Sequence, residues 1–123
     1  LKTVNFAFNN LEKIENFTFK NLTRLESLKL SYNRISILNI NTFYDLINLL
    51  KLHLDHNQIS IIQDGLFDYL INLKELNLKN NYIHLIEDNS FIKLAKLELI
   101  ELNNNFIKFI SNKTLSGLFS IQN

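Results

Sequence analysis

Apolar residues return along this chain in a fixed rhythm of 24. Full copies begin at Leu1, Leu25, Leu49, Leu73 and Leu97, a sixth opens at Ile121, and the copies align without a gap. Slot 4 holds Val4, Leu28, Leu52, Leu76 and Ile100, and slot 6 holds Phe6, Leu30, Leu54, Leu78 and Leu102. Slot 11 holds Leu11, Ile35, Ile59, Ile83 and Ile107; slot 14 holds Ile14, Leu38, Ile62, Ile86 and Ile110. Slot 19 is Phe19, Phe43, Phe67, Phe91 and Leu115, and slot 22 is Leu in every full copy. A period of this length marks stacked units, each unable to bury its apolar side alone, rather than one globular core. The expected organisation is a single array over residues 1–123, with copies 1–24, 25–48, 49–72, 73–96 and 97–120 and the start of another at 121–123.

Slots 4 and 6 are two apart, the period of a strand, whose successive side chains point to opposite faces. The pattern therefore predicts a short strand over slots 3–7 with slots 4 and 6 inward and slots 3, 5 and 7 outward. Five copies then stack as a parallel sheet with a rung spacing of about 4.8 Å. Slots 19 and 22 are three apart, the spacing of one helical turn, so stretches such as 42–46 are expected as short helical or 3-10 segments on the opposite wall. The predicted class is an α/β repeat solenoid. The phenylalanines of slot 19 are expected to form a four-membered spine.

Slot 9 is always Asn: Asn9, Asn33, Asn57, Asn81 and Asn105. A chain leaving a buried strand must turn, and its backbone groups would face the core unpaired. One short side chain with an acceptor and two donors can bond the turn of its own coil and of its neighbour, so these residues are expected to form a ladder.

These columns resemble the leucine-rich repeat, whose pattern Leu-x-x-Leu-x-Leu-x-x-Asn-x-Leu is met by slots 1–11 of all five copies, with Val, Ile or Phe for some Leu. The 24-residue length and the Phe at slot 19 resemble the "typical" subfamily of Toll-like or chaoptin-like receptor ectodomains. The resemblance implies a curved horseshoe with its sheet on the concave face and an extracellular or cell-surface setting. Two departures stand out. Slot 15, often Pro in that subfamily, is Glu15, Asn39, Gln63, Glu87 and Ser111, and slot 13 is apolar in Ile37, Ile61, Leu85 and Phe109. Arrays of this kind end in atypical caps that hide the last core layer. No cap-like copy is present, so the chain reads as an internal piece of a longer array.

Composition narrows the function. A formal net charge of +1 weighs against a dedicated nucleic-acid binder, and no nucleic-acid partner is expected. No apolar run approaches the roughly 18 residues of a membrane span. The chain contains no cysteine, which removes disulfides, thiolate nucleophiles and Cys-ligated zinc together. With two glycines it has no phosphate-cradling loop, and no nucleophile has a base and orienter in view; neither an enzyme nor a cofactor is expected.

Specificity is expected where the copies differ, on the outward slots 3, 5, 7, 8 and 10. The candidate ligand-binding residues are Phe8, Lys29, Tyr32, Arg34, His53, Asp55, His56, Lys79, Tyr82, Glu101 and Phe106. Exposed aromatics beside arginine are the usual anchors of protein interfaces. Lys51 with Glu75, and Asp55 with Lys79, share slots in adjacent copies and are expected as cross-strand pairs. His53, Asp55 and His56 form the only cluster with the makings of a zinc site, though such spacing arises readily by chance and no metal is expected. Three sequons, at Asn16, Asn21 and Asn112, fall on slots away from this face and are candidate glycosylation sites. The function expected is a non-catalytic module binding a protein ligand or co-receptor. The alternative is a cytoplasmic scaffold or substrate adaptor.

Overall fold

The slot pattern becomes seven short parallel strands in a computed structural model that describes residues 1–121. Gln122 and Asn123, which continue the sixth copy, lie outside the described residues. The strands are β1 Thr3–Asn5, β2 Ser27–Lys29, β3 Lys51–His53, β4 Ile61–Ile62, β5 Glu75–Asn77, β6 Leu85–Ile86 and β7 Leu99–Glu101. The main sheet has the order β1-β2-β3-β5-β7, and Thr3 pairs Ser27, Ser27 pairs Lys51, Lys51 pairs Glu75 and Glu75 pairs Leu99. The strands are three residues long rather than the five expected. Ladder hydrogen bonds nevertheless run on past them, as from Leu30 N to His53 O and from Tyr32 N to Asp55 O.

Slots 4 and 6 face the core, and Leu28, Leu30, Leu52, Leu54, Leu76 and Leu78 are fully buried. Val4 and Ile100, on the two edge strands, are only half-buried because each has a neighbouring rung on one side alone. On the far wall Phe43, Phe67 and Phe91 stack face to face with ring centroids 6.1 Å apart in each pair. Phe19 is buried too, yet makes no stacked pair with Phe43, so the spine has three rings rather than four. Ring spacing on this wall exceeds the strand spacing of about 4.8 Å on the other. Stacking coils with one wall wider than the other bends the array and places the sheet on its concave side.

The segments expected as helical are corrected by the structure: no helix occurs among the described residues. Slots 15–22 instead form chained turns, with Lys20 N bonding Phe17 O and Leu22 N bonding Phe19 O. Two local features prevent a helix. Left-handed residues interrupt every copy, at slot 17 in Phe17, Gly65 and Asn89 and at slot 21 in Asn21, Asp45 and Gly117. A right-handed helix cannot pass through them. Slot-18 hydroxyls also close the preceding turn locally: Thr18 Oγ1 donates to Glu15 O, Ser90 Oγ to Glu87 O, and Thr42 Oγ1 accepts from Asn39 N. Such side-chain bonds compete with helical ones.

The apolar slot 13 has a counterpart that the pattern did not announce. Slots 13 and 14 form a second small sheet, β4 with β6, and Lys13 bridges Ile37 in the same row. Slot 14 turns inward in the first four copies, though Ile110 in the last is exposed, while Ile37, Ile61, Leu85 and Phe109 of slot 13 stand exposed on the flank.

Gly117 shows why a turn can require glycine. Its φ is +94°, and a Cβ there would lie 2.5 Å from the carbonyl oxygen of Ile92 in the coil below. Gly65, at φ +91°, has only Ile40 side-chain atoms at 3.6 Å. Both alanine variants therefore carry backbone strain, but only Gly117→Ala also collides with backbone. Gly117→Ala is expected to cost more than about 2 kcal/mol and to speed amide exchange in the last coil, whereas Gly65→Ala costs about 1 kcal/mol. Equal melting midpoints for the two variants would contradict this packing.

Candidate functional site

The Asn column ties each coil to the next and so sets the geometry of the open face. Asn57 Oδ1 accepts from Ile35 N at 3.0 Å, while its Nδ2 donates to Leu30 O at 3.0 Å and Leu54 O at 3.1 Å. Asn33 and Asn81 repeat the arrangement on Leu11 and Ile59, and Asn105 repeats it on Ile83. Asn33, Asn57 and Asn81 are buried, Asn105 is half-buried, and Asn9 is exposed and bonds only Phe6 O and Ala7 O.

The residue before each ladder Asn is left-handed in all five coils: Phe8, Tyr32, His56, Asn80 and Asn104, with φ between 55° and 59°. This column is the main feature that residue spacing missed. The signal was partly present, because Asn80 and Asn104 are of the type that tolerates this conformation. His56 is of such a type as well, whereas Phe8 and Tyr32 are not, and their rings compensate by stacking. Phe8 lies 4.4 Å from Tyr32 and Tyr32 lies 4.1 Å from His56, each pair within 9° of parallel. Asn80 Nδ2 then meets His56 Nε2 at 3.1 Å, continuing the column of planar groups. Two slots further on, Tyr82 and Phe106 stack at 6.1 Å and are 54% and 59% exposed. Arg34 is exposed in the same slot-10 column at the other end. One edge of the sheet thus carries five of the candidate side chains as two aromatic groups with open surfaces.

The sheet face itself is polar. Glu75 sits between the Lys51 ammonium and the His53 ring, with Lys51 Nζ at 3.4 Å and His53 Nε2 at 2.8 Å. Partial burial raises the pKa of Glu75, but the hydrogen bond and charge of His53 and the charge of Lys51 outweigh it and leave the carboxyl below its ordinary value. The second expected pair is not made. Asp55, expected on the open face, is buried at 7% exposure and accepts a hydrogen bond from Ser31 Oγ at 2.6 Å, and no Asp55–Lys79 ion pair occurs among the described residues. Lys29, Lys79 and Glu101 are half-buried on the face around it.

His53, Asp55 and His56 do not converge. Each is engaged elsewhere: His53 with Glu75, Asp55 with Ser31, and His56 with Tyr32 and Asn80. No group of three such side chains among the described residues is placed to hold a metal ion. Asn16, Asn21 and Asn112 are all exposed in turns on the other side of the coil from the main sheet. The side-chain partners of their hydroxyl residues differ: Thr18 Oγ1 donates to Glu15 O, whereas Thr114 is buried and its Oγ1 accepts from Ser111 N.

Parallel coils in register, an Asn ladder and a concave sheet define a class of proteins, the horseshoe solenoids. A family model described as leucine rich repeat matches residues 1–59, 47–107 and 71–123, and the chain belongs to that family. No curated protein sequence matches it. Among solved structures it is similar to a chain of the Toll–Spatzle complex of Drosophila, with a TM-score of 0.90 and 22% identity over 98% of this chain. It is also similar to a chain of the TLR13–ssRNA13 complex, with a TM-score of 0.83 and 24% identity over 98% of this chain. It spans 18% and 20% of the length of those two chains. Among the described residues no helix is long and apolar enough to cross a membrane.

Proposed function

We propose that this array is a non-catalytic recognition module of an extracellular or cell-surface receptor, binding a protein ligand by its concave sheet and aromatic edge. The observation that carries the reading is the contrast between columns. The scaffold slots repeat almost without change, while the outward slots vary and converge on one face ending in Phe8, Tyr32, Tyr82 and Phe106. Such exposed rings beside a polar, charge-paired surface have the make-up of an interface with a few anchoring residues and a hydrated rim. That the Drosophila neighbour is a complex of Toll with Spatzle supports a protein ligand. The other neighbour is a complex with ssRNA13, so a nucleic-acid partner is compatible with the fold. The net charge of +1 and the carboxylates Glu75 and Glu101 on the open face favour protein. Glycans at Asn16, Asn21 or Asn112 would lie away from the sheet and leave it free.

The test is a display of the chain against a library of secreted proteins. Tyr82→Ala with Phe106→Ala is expected to weaken any selected ligand at least about tenfold, the loss typical of interface anchors. Lys113→Glu, on the far side, should leave affinity unchanged. A ligand indifferent to both pairs, Tyr82 with Phe106 and Phe8 with Tyr32, would remove the aromatic edge from the site. Intact mass of the secreted chain before and after glycan removal tests the setting. An unglycosylated product would favour the intracellular scaffold.

A further inference from the structure

A groove lies not on the aromatic edge but on the opposite edge of the main sheet, where the chain enters the strands. It has a volume of about 500 Å³ and runs along two adjacent rows of the array. Slot 2 contributes Lys2, Glu26, Leu50 and Lys74. Slot 24 contributes Arg24, Asn48, Asn72 and Lys96. Within the groove each row begins and ends in a cation, three coils apart, a separation of roughly 14 Å at the spacing of a parallel sheet, and beyond it the slot-2 row continues to Glu98.

The middle of the groove holds Leu50, Asn48, Asn72 and one carboxylate, Glu26. Asn48 Nδ2 donates to Thr23 O at 2.7 Å and Asn72 Nδ2 to Ile47 O at 2.8 Å, a second amide ladder that holds the groove wall in register. Glu26, the only carboxylate in the lining, is held by Lys2 Nζ at 3.1 Å. Lys96 Nζ is oriented by Asn72 Oδ1 at 2.6 Å, a neutral partner that leaves its charge uncompensated. Arg24 and Lys74 enter no ion pair among the described residues. With four cations against one carboxylate, the groove carries a net charge of about +3 in a molecule whose total is +1. Like charges gathered along a concave strip focus a positive potential there and attract an extended anion.

We propose that this groove binds a sulfated polysaccharide chain. Two features point to that polyanion rather than to a nucleic acid. Single strands are held by a basic track combined with rings on which bases stack, and the groove lining contains no aromatic residue. The stacked pairs Phe8–Tyr32 and Tyr82–Phe106 stand at slots 8 and 10, across the full width of the sheet. The amides of Asn48 and Asn72 between the charged ends suit the hydroxyls of a sugar chain, and the cations at the ends suit its sulfates. This site is separate from the aromatic edge, so either can fail without the other.

The experiment is calorimetric titration of the chain with a heparin-derived octasaccharide in low-salt buffer, with its desulfated counterpart and a single-stranded oligonucleotide of similar length as comparisons. The intact chain should bind the sulfated octasaccharide, more weakly as salt is raised. Lys74→Glu with Lys96→Glu should lower affinity at least about tenfold with an unchanged melting midpoint, since both side chains are exposed. Lys74→Gln with Lys96→Gln should lower it less, and Lys113→Glu not at all. Absence of binding would overturn the proposal, as would equal affinity for the desulfated chain, tighter binding of the oligonucleotide, or an equal loss in Lys113→Glu.

Discussion

Asn57→Ala is expected to destabilise the array by about 3 kcal/mol, the cost of leaving buried backbone groups without partners. The amide N–H of Ile35 loses its acceptor, and the carbonyls of Leu30 and Leu54 lose a donor, in a region where water does not enter. Each orphaned group carries a penalty of about 1–3 kcal/mol, partly relieved by relaxation of the turn. In thermal unfolding this is a fall of about 10 °C. Asn9→Ala is the internal control. Asn9 is exposed and serves only its own coil, so its loss should stay within about 1 kcal/mol. Asn57→Asp, which keeps the acceptor and discards the donors, should fall between. If Asn57→Ala and Asn9→Ala melt together, the ladder contributes no more inside the stack than at its end.

Phe67→Ala should cost more, about 3–5 kcal/mol, as for other buried phenylalanines. Phe67 is fully buried and is the central ring of the spine, stacked on Phe43 and on Phe91. Its removal opens a cavity between two coils, and in a solenoid each coil rests only on its neighbours. The expected signature is therefore a loss of cooperativity as well as of stability. Hydrogen exchange should show copies 1–48 and 73–120 opening as separate units. Phe67→Leu refills most of the space and should recover about half of the loss. Phe119, 84% exposed, is the comparison: Phe119→Ala should stay within about 0.5 kcal/mol. A Phe67→Ala variant that still unfolds in one transition near the parent midpoint would show that the sheet wall alone carries the coupling between coils.

The repeat made most of the scaffold legible because its constraints are local and recur five times. A slot that is apolar in every copy must face the shared core, and an Asn in every copy must answer a backbone need that every copy has. Placement on the sheet face was legible for Lys29, His53, Lys79 and Glu101 from alternation alone. Alternation does not settle burial. Asp55 shares slot 7 with Lys79 and reads as outward, yet lies buried because its carboxylate accepts a hydrogen bond from Ser31 of the neighbouring coil. Helical spacing at slots 19 and 22 likewise indicated inward residues correctly except for Leu115, which is exposed in the last copy, and the backbone wrongly. The same two residues reach the core from chained turns, and the left-handed positions that enforce the turns are filled by residues as unlike as Phe17, Asp45 and Gly117.

The sequence by itself determined the unit, its length, its two apolar walls and the Asn ladder between coils. These follow from which side chains avoid water and which backbone groups need partners, and both are properties of residue type at a given spacing. Only the tertiary structure decided how neighbouring coils meet. The stacking of Phe8, Tyr32 and His56, the second amide ladder of Asn48 and Asn72 and the clustering of Lys2, Arg24, Lys74 and Lys96 are contacts between residues about 24 positions apart. Their strength depends on distances and ring angles that no spacing rule contains. The curvature is of the same kind: it comes from the difference between a ring spacing of 6.1 Å on one wall and a rung of about 4.8 Å on the other.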